Sequence, residues 1–166
     1  MKNVVRPESV VMARDPEVLY GLLHFYAKIG GRVLDCTANT KKMWKGVEWS
    51  GEIVFSDIDP SCNPDVVVDF RETGFQDSSF DVIVFDPPHL PSAAASPKSM
   101  IAMSSIYGLE RAPNDDNVSS LFSPFLLEAR RILRPDGLVF AKIKGLRSQS
   151  QIPVVARGLR SRRQSY

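Results

Sequence analysis

The sequence predicts an α/β domain organised around a mostly parallel sheet, and three observations carry that expectation. Four short stretches, at 32–35, 52–57, 65–68 and 81–85, are rich in β-branched and aromatic residues and are bounded by turn residues. They read as near-continuous apolar runs rather than alternating ones, the pattern of strands buried on both faces. Helical stretches precede and follow them, as parallel connections require.

Taken in order, the first helix is placed at 16–28. Pro16 suits the first turn, Asp15 is the expected N-cap, and Gly30-Gly31 ends the element. Only residues 58–64 separate the second strand from the third, too few for a crossover that carries its own helix, so a plain loop is expected there. A second helix is expected at about 119–133, closed by the turn chemistry of Pro135-Asp136-Gly137, and a fifth strand at 137–143. The stretch 90–118, rich in Ser, Ala, Pro and Met, is too long for an ordinary connection and reads as a candidate lid. His24 is expected to serve packing, as are Trp44 and Trp49 over the sheet.

With 166 residues and 43% hydrophobic content, the chain can bury one core. No run approaches the roughly 18 apolar residues of a membrane-spanning helix, and the first 25 residues do not read as a secretory signal. Cys36 and Cys62 are the only cysteines, which argues against a disulfide framework and puts a four-ligand zinc site out of reach. A reduced, cytoplasmic setting with no membrane partner is expected.

The net charge of +2 conceals an asymmetry. Lys142, Lys144, Arg147, Arg157, Arg160, Arg162 and Arg163 lie in the last 25 residues, which contain no acid; removing those seven charges leaves the remainder at −5. The chain therefore divides into a domain at 1–145 and a short basic tail at 146–166. An acidic body with a basic end suits contact with a polyanion, or is simply a solvated terminus.

Ligands of open parallel sheets bind outside the carboxyl ends of the strands. Asp35, Asp57, Asp69 and Asp86 fall at four such ends in succession. A carboxylate there can accept bonds from ligand hydroxyls and amines. The last belongs to Phe85-Asp86-Pro87-Pro88-His89, where consecutive prolines supply carbonyls without competing N–H groups and stiffen the turn. The acids are dispersed along the chain, and no metal site is expected.

In order and spacing these segments resemble the Rossmann-like (class I) S-adenosylmethionine-dependent methyltransferases, from about residue 16 to 144. Within them, Asp86-Pro87-Pro88-His89 is similar to the Asp-Pro-Pro-aromatic signature of bacterial or phage enzymes that methylate adenine N6 or cytosine N4 in DNA. The resemblance implies S-adenosyl-L-methionine as cofactor. It would put Asp35, Cys36, Thr37, Ala38 and Asn39, with Thr40, around the methionine end. Asn39 and Thr40 stand where the family has glycine, and Asn is the non-glycine residue that best tolerates positive φ. Asp57 would receive the ribose hydroxyls, Ile58 would pack on the adenine ring, and Asp69, followed by Phe70, would receive the adenine amino group.

Asp86, Pro87 and Pro88 would orient the target amine, whose lone pair is delocalised into its ring, and His89 would stack on the base in place of the commoner Tyr, Phe or Trp. The implied reaction is N-methylation of a base amino group, adenine N6 in DNA being favoured. RNA as substrate, or a shortened cofactor-binding relative with little activity, remain alternatives. Family members continue after the fifth strand with a helix and an antiparallel strand pair, so the sheet is expected to be shortened at its C-terminal edge. A homodimer or a separate recognition subunit would then supply what is missing.

Overall fold

The computed structural model describes residues 13–87, 115–144 and 151–157, of which 115–121, 143–144 and 151–157 are described by backbone alone. Its six strands are β1 (Val33–Asp35), β2 (Ile53–Asp57), β3 (Val66–Val67), β4 (Phe80–Phe85), β5 (Leu133–Lys144) and β6 (Gln151–Arg157). They form one sheet in the order β3-β2-β1-β4-β5-β6. All neighbours run parallel except β6, which is antiparallel to β5. The expected α/β class and mostly parallel sheet are therefore present. The C-terminal edge is longer than expected: residues 151–157, assigned from sequence to the short basic tail, pair with β5 from Leu138↔Arg157 to Lys144↔Gln151. Gln151-Ile152-Pro153-Val154-Val155-Ala156-Arg157 carries β-branched residues around a proline, and Pro at an edge position removes no bond the sheet needs.

Helix α1 spans Asp15–Tyr26 and α2 spans Asp115–Ile132, running through Pro124. The N-cap of α1 is Arg14 rather than Asp15, and the Glu17 carboxylate reaches back to accept the Arg14 backbone N–H at 3.1 Å. Asp15 becomes the first helical residue, and its carboxylate is free to act elsewhere. The β2–β3 connection is the expected short link, tightened by a 3-10 turn at Pro60–Cys62 in which Asp59 accepts the Ser61 N–H at 2.8 Å. The Pro135-Asp136-Gly137 turn is absorbed into β5 as an irregularity: Phe80 faces Leu133 and Val82 faces Leu138, so β5 carries three more residues than β4 between those pairs.

Side-chain alternation distributes the core between the two faces. On one face Leu19, Leu22 and Leu23 of α1 pack with Val33, Val82, Val84, Leu138, Phe140 and Trp44. On the other, Phe125, Ala129 and Ile132 of α2 pack with Leu34, Ile83, Phe85, Val139 and Ala141. Strands sandwiched this way need no polar face, which is why they read as unbroken apolar runs. At the amino ends of the strands, a Cβ on Gly51 would lie 2.1 Å from the Gly31 carbonyl oxygen, so only glycine lets these two turns meet. The β3–β4 loop is tied to α2 by Glu128, which accepts bonds from the Thr73 N–H and hydroxyl at 2.8 and 2.6 Å. The Arg131 guanidinium, outweighing burial, holds Glu128 down at about 2.

Among the described residues no helix is long and apolar enough to cross a membrane, and no group of His, Cys, Asp or Glu is placed to hold a metal. Cys36 and Cys62 are free thiols.

Phe85 anchors the α2 face: it is wholly buried, stacks on Phe125 at 3.7 Å between centroids, and meets Phe70 and Phe122 edge-on. Truncation in Phe85→Ala is expected to lower unfolding free energy by about 3–5 kcal/mol, read from urea denaturation. A loss below about 1 kcal/mol would show that the face closes over the cavity.

Candidate active site at the strand ends

Strand order reverses between β1 and β4, and at such a switch point the loops leaving two neighbouring strands diverge and open a crevice. The β1 exit begins with Asp35, which is 3% exposed. Its carboxylate accepts the Trp44 indole N–H at 2.6 Å and the Thr37 N–H at 3.1 Å. Burial pushes this carboxyl up to about 7 against those two hydrogen bonds, and the Asp86 and Asp57 carboxylates add to the rise. Trp44 thus packs beneath the site, as expected, and its N–H is the specific partner of Asp35. Cys36 donates its Sγ–H to the Val84 carbonyl at 3.3 Å, and burial followed by the charge of Asp35 drives its thiol upward, so it is an inert packing residue.

Thr37 joins the two exits. Its Oγ1 accepts the Asp86 backbone N–H at 2.8 Å, binding the start of the β4 loop to the β1 turn. Ala38 is buried and donates its N–H to the Ser56 carbonyl at 3.0 Å. Asn39 turns the chain with φ of 44°, a left-handed conformation that its side chain tolerates, and Lys41 follows with φ of 56°. The Lys41 ammonium lies 4.5 Å from the Phe55 ring centre.

Asp57 closes β2 and is 5% exposed. It receives the Asn39 N–H on Oδ2 at 2.8 Å and the Asp59 N–H on Oδ1 at 3.0 Å, which fixes the carboxylate. Each oxygen keeps a second lone pair for a further donor. Ile58 follows, half-buried.

Asp69 and Phe70, expected near the adenine, are engaged by Arg71 and buried in the core respectively. The Arg71 guanidinium holds Asp69 through Nε at 3.0 Å to both oxygens and through its terminal nitrogen at 2.5 Å, besides the Arg71 backbone N–H. Burial opposes ionisation of Asp69, but these bonds outweigh it and its carboxyl lies below the ordinary value. Phe70 is 3% exposed, edge-on to Phe85 and Phe125. Its ring belongs to the core rather than to a ligand surface, because an aromatic next to a strand end gains most by filling the space beneath it.

Asp86 and Pro87 leave β4 half-buried; Pro88 and His89, like most of the 90–118 stretch, lie outside the described residues. One partner of Asp86 was not anticipated. Lys142 of β5, counted from sequence among the bases of the C-terminal region, is only 15% exposed and places Nζ 2.8 Å from Asp15 and 3.3 Å from Asp86. Its signal in the sequence was a lysine, followed by Lys144, at the even spacing of Leu138 and Phe140.

His24 serves packing, bonded through Nδ1 to the Tyr20 carbonyl and stacked on the Tyr20 ring.

A sheet ordered 3-2-1-4-5 with an antiparallel strand beyond it, and with its carboxylates at the ends of β1, β2 and β4, has the fold of the Rossmann-like S-adenosylmethionine-dependent methyltransferases. Among solved structures, TrmN from Thermus thermophilus is 18% identical with a TM-score of 0.52, covering 84% of this chain and 40% of its own. A SAM-dependent methyltransferase from Methanosarcina mazei is 17% identical with a TM-score of 0.51, over 76% of this chain and 58% of that one. The 1,6-didemethyltoxoflavin-N1-methyltransferase of Burkholderia thailandensis, solved with bound 1,6-didemethyltoxoflavin and S-adenosylhomocysteine, is 14% identical with a TM-score of 0.50, over 92% of this chain and 59% of that one. At these identities the likeness is one of fold, and the chain spans between 40 and 59% of those proteins' lengths. No protein-family model and no curated protein matches the sequence.

Asp35 gives the site a measurable pH signature. Its carboxyl sits near 7 in the folded protein and near 3.8 in the reference state, so the stability it contributes is complete below about pH 4 and is lost as pH rises through about 7. The urea midpoint of the wild type is therefore expected to fall relative to that of Asp35→Asn between about pH 5 and pH 8. Parallel profiles would show that Asp35 is ionised throughout.

Proposed function

We propose that this chain is an S-adenosylmethionine-dependent N-methyltransferase acting on the exocyclic amino group of a nucleic-acid base, adenine N6 in DNA before other targets. The observation that carries the reading is the Thr37–Asp86 bond: it holds an Asp-Pro turn directly against the β1 turn at the switch point. The sequence continues that turn as Pro88-His89.

The residues present fit the cofactor. Asp35, Asp57 and Asp86 lie close enough for the latter two to raise the carboxyl of the first, an environment relieved by a cationic sulfonium ligand. Asp57, locked by two backbone N–H groups, offers its remaining lone pairs to a pair of ribose hydroxyls, with Ile58 beside it. Asp35 and the turn from Cys36 to Asn39 would hold the methionine end. Asp69 serves the adenine amino group in this reading only with the lone pairs that Arg71 leaves it. The bound cofactor would supply an activated methyl group.

The protein's own task is placement of the amine. A base amino nitrogen is a poor nucleophile until its lone pair is withdrawn from the ring. The Asp86 carboxylate accepts one of its N–H bonds and a backbone carbonyl of the Pro87-Pro88 turn accepts the other, which aims the lone pair away from both. Proline suits that turn because it presents carbonyls with no competing donor. A base inside a duplex has to be flipped out first, at a cost of about a few kcal/mol.

Labelled methyl from S-adenosylmethionine is expected to enter DNA, and Asp86→Ala to reduce incorporation by about a hundredfold or more with donor affinity nearly unchanged. Asp57→Ala is expected to weaken donor binding by about tenfold in calorimetry. Label in RNA alone would transfer the reading to an already accessible base, and label in protein alone would overturn it. Absence of any heat with the donor would establish a chain that does not bind the cofactor.

A further inference from the structure

Lys142 occupies a position that fold stability alone does not call for. Leu138 and Phe140 of β5 line the α1 face, and Lys142 continues that row by one more alternate position. On β4, Val82 and Val84 line the same face, and Asp86 continues theirs. Because Phe85 pairs with Ala141, Asp86 and Lys142 follow as cross-strand neighbours. Two apolar rows thus end together in an opposite-charge pair, and the lysine stem can lie along the row with its ammonium at the strand end.

We infer that Lys142 is a positioning residue that sets the orientation of the Asp86 carboxylate; this rests on the proposal that Asp86 receives the target amine. The ammonium stands 2.8 Å from Asp15 at the start of α1 and 3.3 Å from Asp86 Oδ2. The shorter contact anchors the ammonium to the helix, and the longer one reaches the Asp86 carboxylate. An ionised carboxylate presents acceptors on both oxygens, which suits an amine N–H, whereas its protonated form places a donor on one of them. Thr37 Oγ1 holds Asp86 at its backbone N–H and Lys142 holds it at its side chain. That leaves Lys142 unavailable to a phosphate backbone, whatever the remaining bases of the C-terminal region contact.

The test measures methyl transfer from labelled S-adenosylmethionine to a single-stranded oligodeoxynucleotide and to an RNA of the same sequence, both containing adenine and cytosine. Lys142→Met is expected to lower kcat by about tenfold or more, with KM for the oligonucleotide, donor affinity in calorimetry and melting temperature close to wild type. Lys142→Arg, which restores the cation, is expected to recover most of kcat. Asp15→Asn, which keeps the Lys142–Asp86 pair, is expected to retain kcat within about threefold. An unchanged kcat in Lys142→Met, or a loss that Lys142→Arg does not repair, would overturn the inference. Should the wild type label neither nucleic acid, the proposed reaction falls by itself; a crystal structure of Lys142→Met with Asp86 unmoved would then overturn the positioning role separately.

Discussion

A single hydrogen bond, from the Asp86 backbone N–H to Thr37 Oγ1, determines how the two halves of the sheet present their chemistry. Chains leaving β1 and β4 have to part at the switch point, since their following segments pack on different sides of the sheet. A short hydroxyl side chain can bridge the two exits before they separate. The same turn passes the Asn39 N–H to Asp57, so β1, β2 and β4 exits form one connected set. Thr37, Asn39, Asp57 and Asp86 take their places from that connection.

Beneath this set lies an electrostatic conflict. Asp35, Asp57 and Asp86 gather negative charge in a region that burial makes inhospitable to it. Two different answers are visible. Asp35 is buried most deeply and sits near 7, softened by the Trp44 indole and the Thr37 N–H. Asp86 is nearer the surface and has the Lys142 ammonium, itself shared with Asp15. A cationic ligand would ease what remains, which is why the same arrangement that costs stability suits a sulfonium cofactor.

Much of this was legible in the residues. Apolar runs that do not alternate identify strands covered on both faces, and strand-end carboxylates follow from where a polar side chain can leave a parallel sheet. Asn39 was readable as a left-handed turn because few other side chains accept positive φ. Lys142, Asp69 and Phe70 were not readable in the same way. Lys142 carries the charge of its neighbours in sequence, and only the β4–β5 register shows that it faces Asp86. Asp69 stands at a strand end like the other acids, yet Arg71 two residues on folds back over it. Phe70 is apolar at a position where ligand and core compete, and the space between Phe85 and Phe125 decided in favour of the core.

By itself the sequence determined the fold class and the strand-end positions of Asp35, Asp57 and Asp86, because periodicity and turn chemistry are local properties of the chain. The tertiary structure alone decided which carboxylates meet, which are already taken by an arginine or an indole, and that residues 151–157 close the sheet beside β5. The physical reason is sequence separation: Asp15, Asp86 and Lys142 are far apart along the chain, and only the packing of α1 against adjacent strands brings one ammonium within reach of both acids.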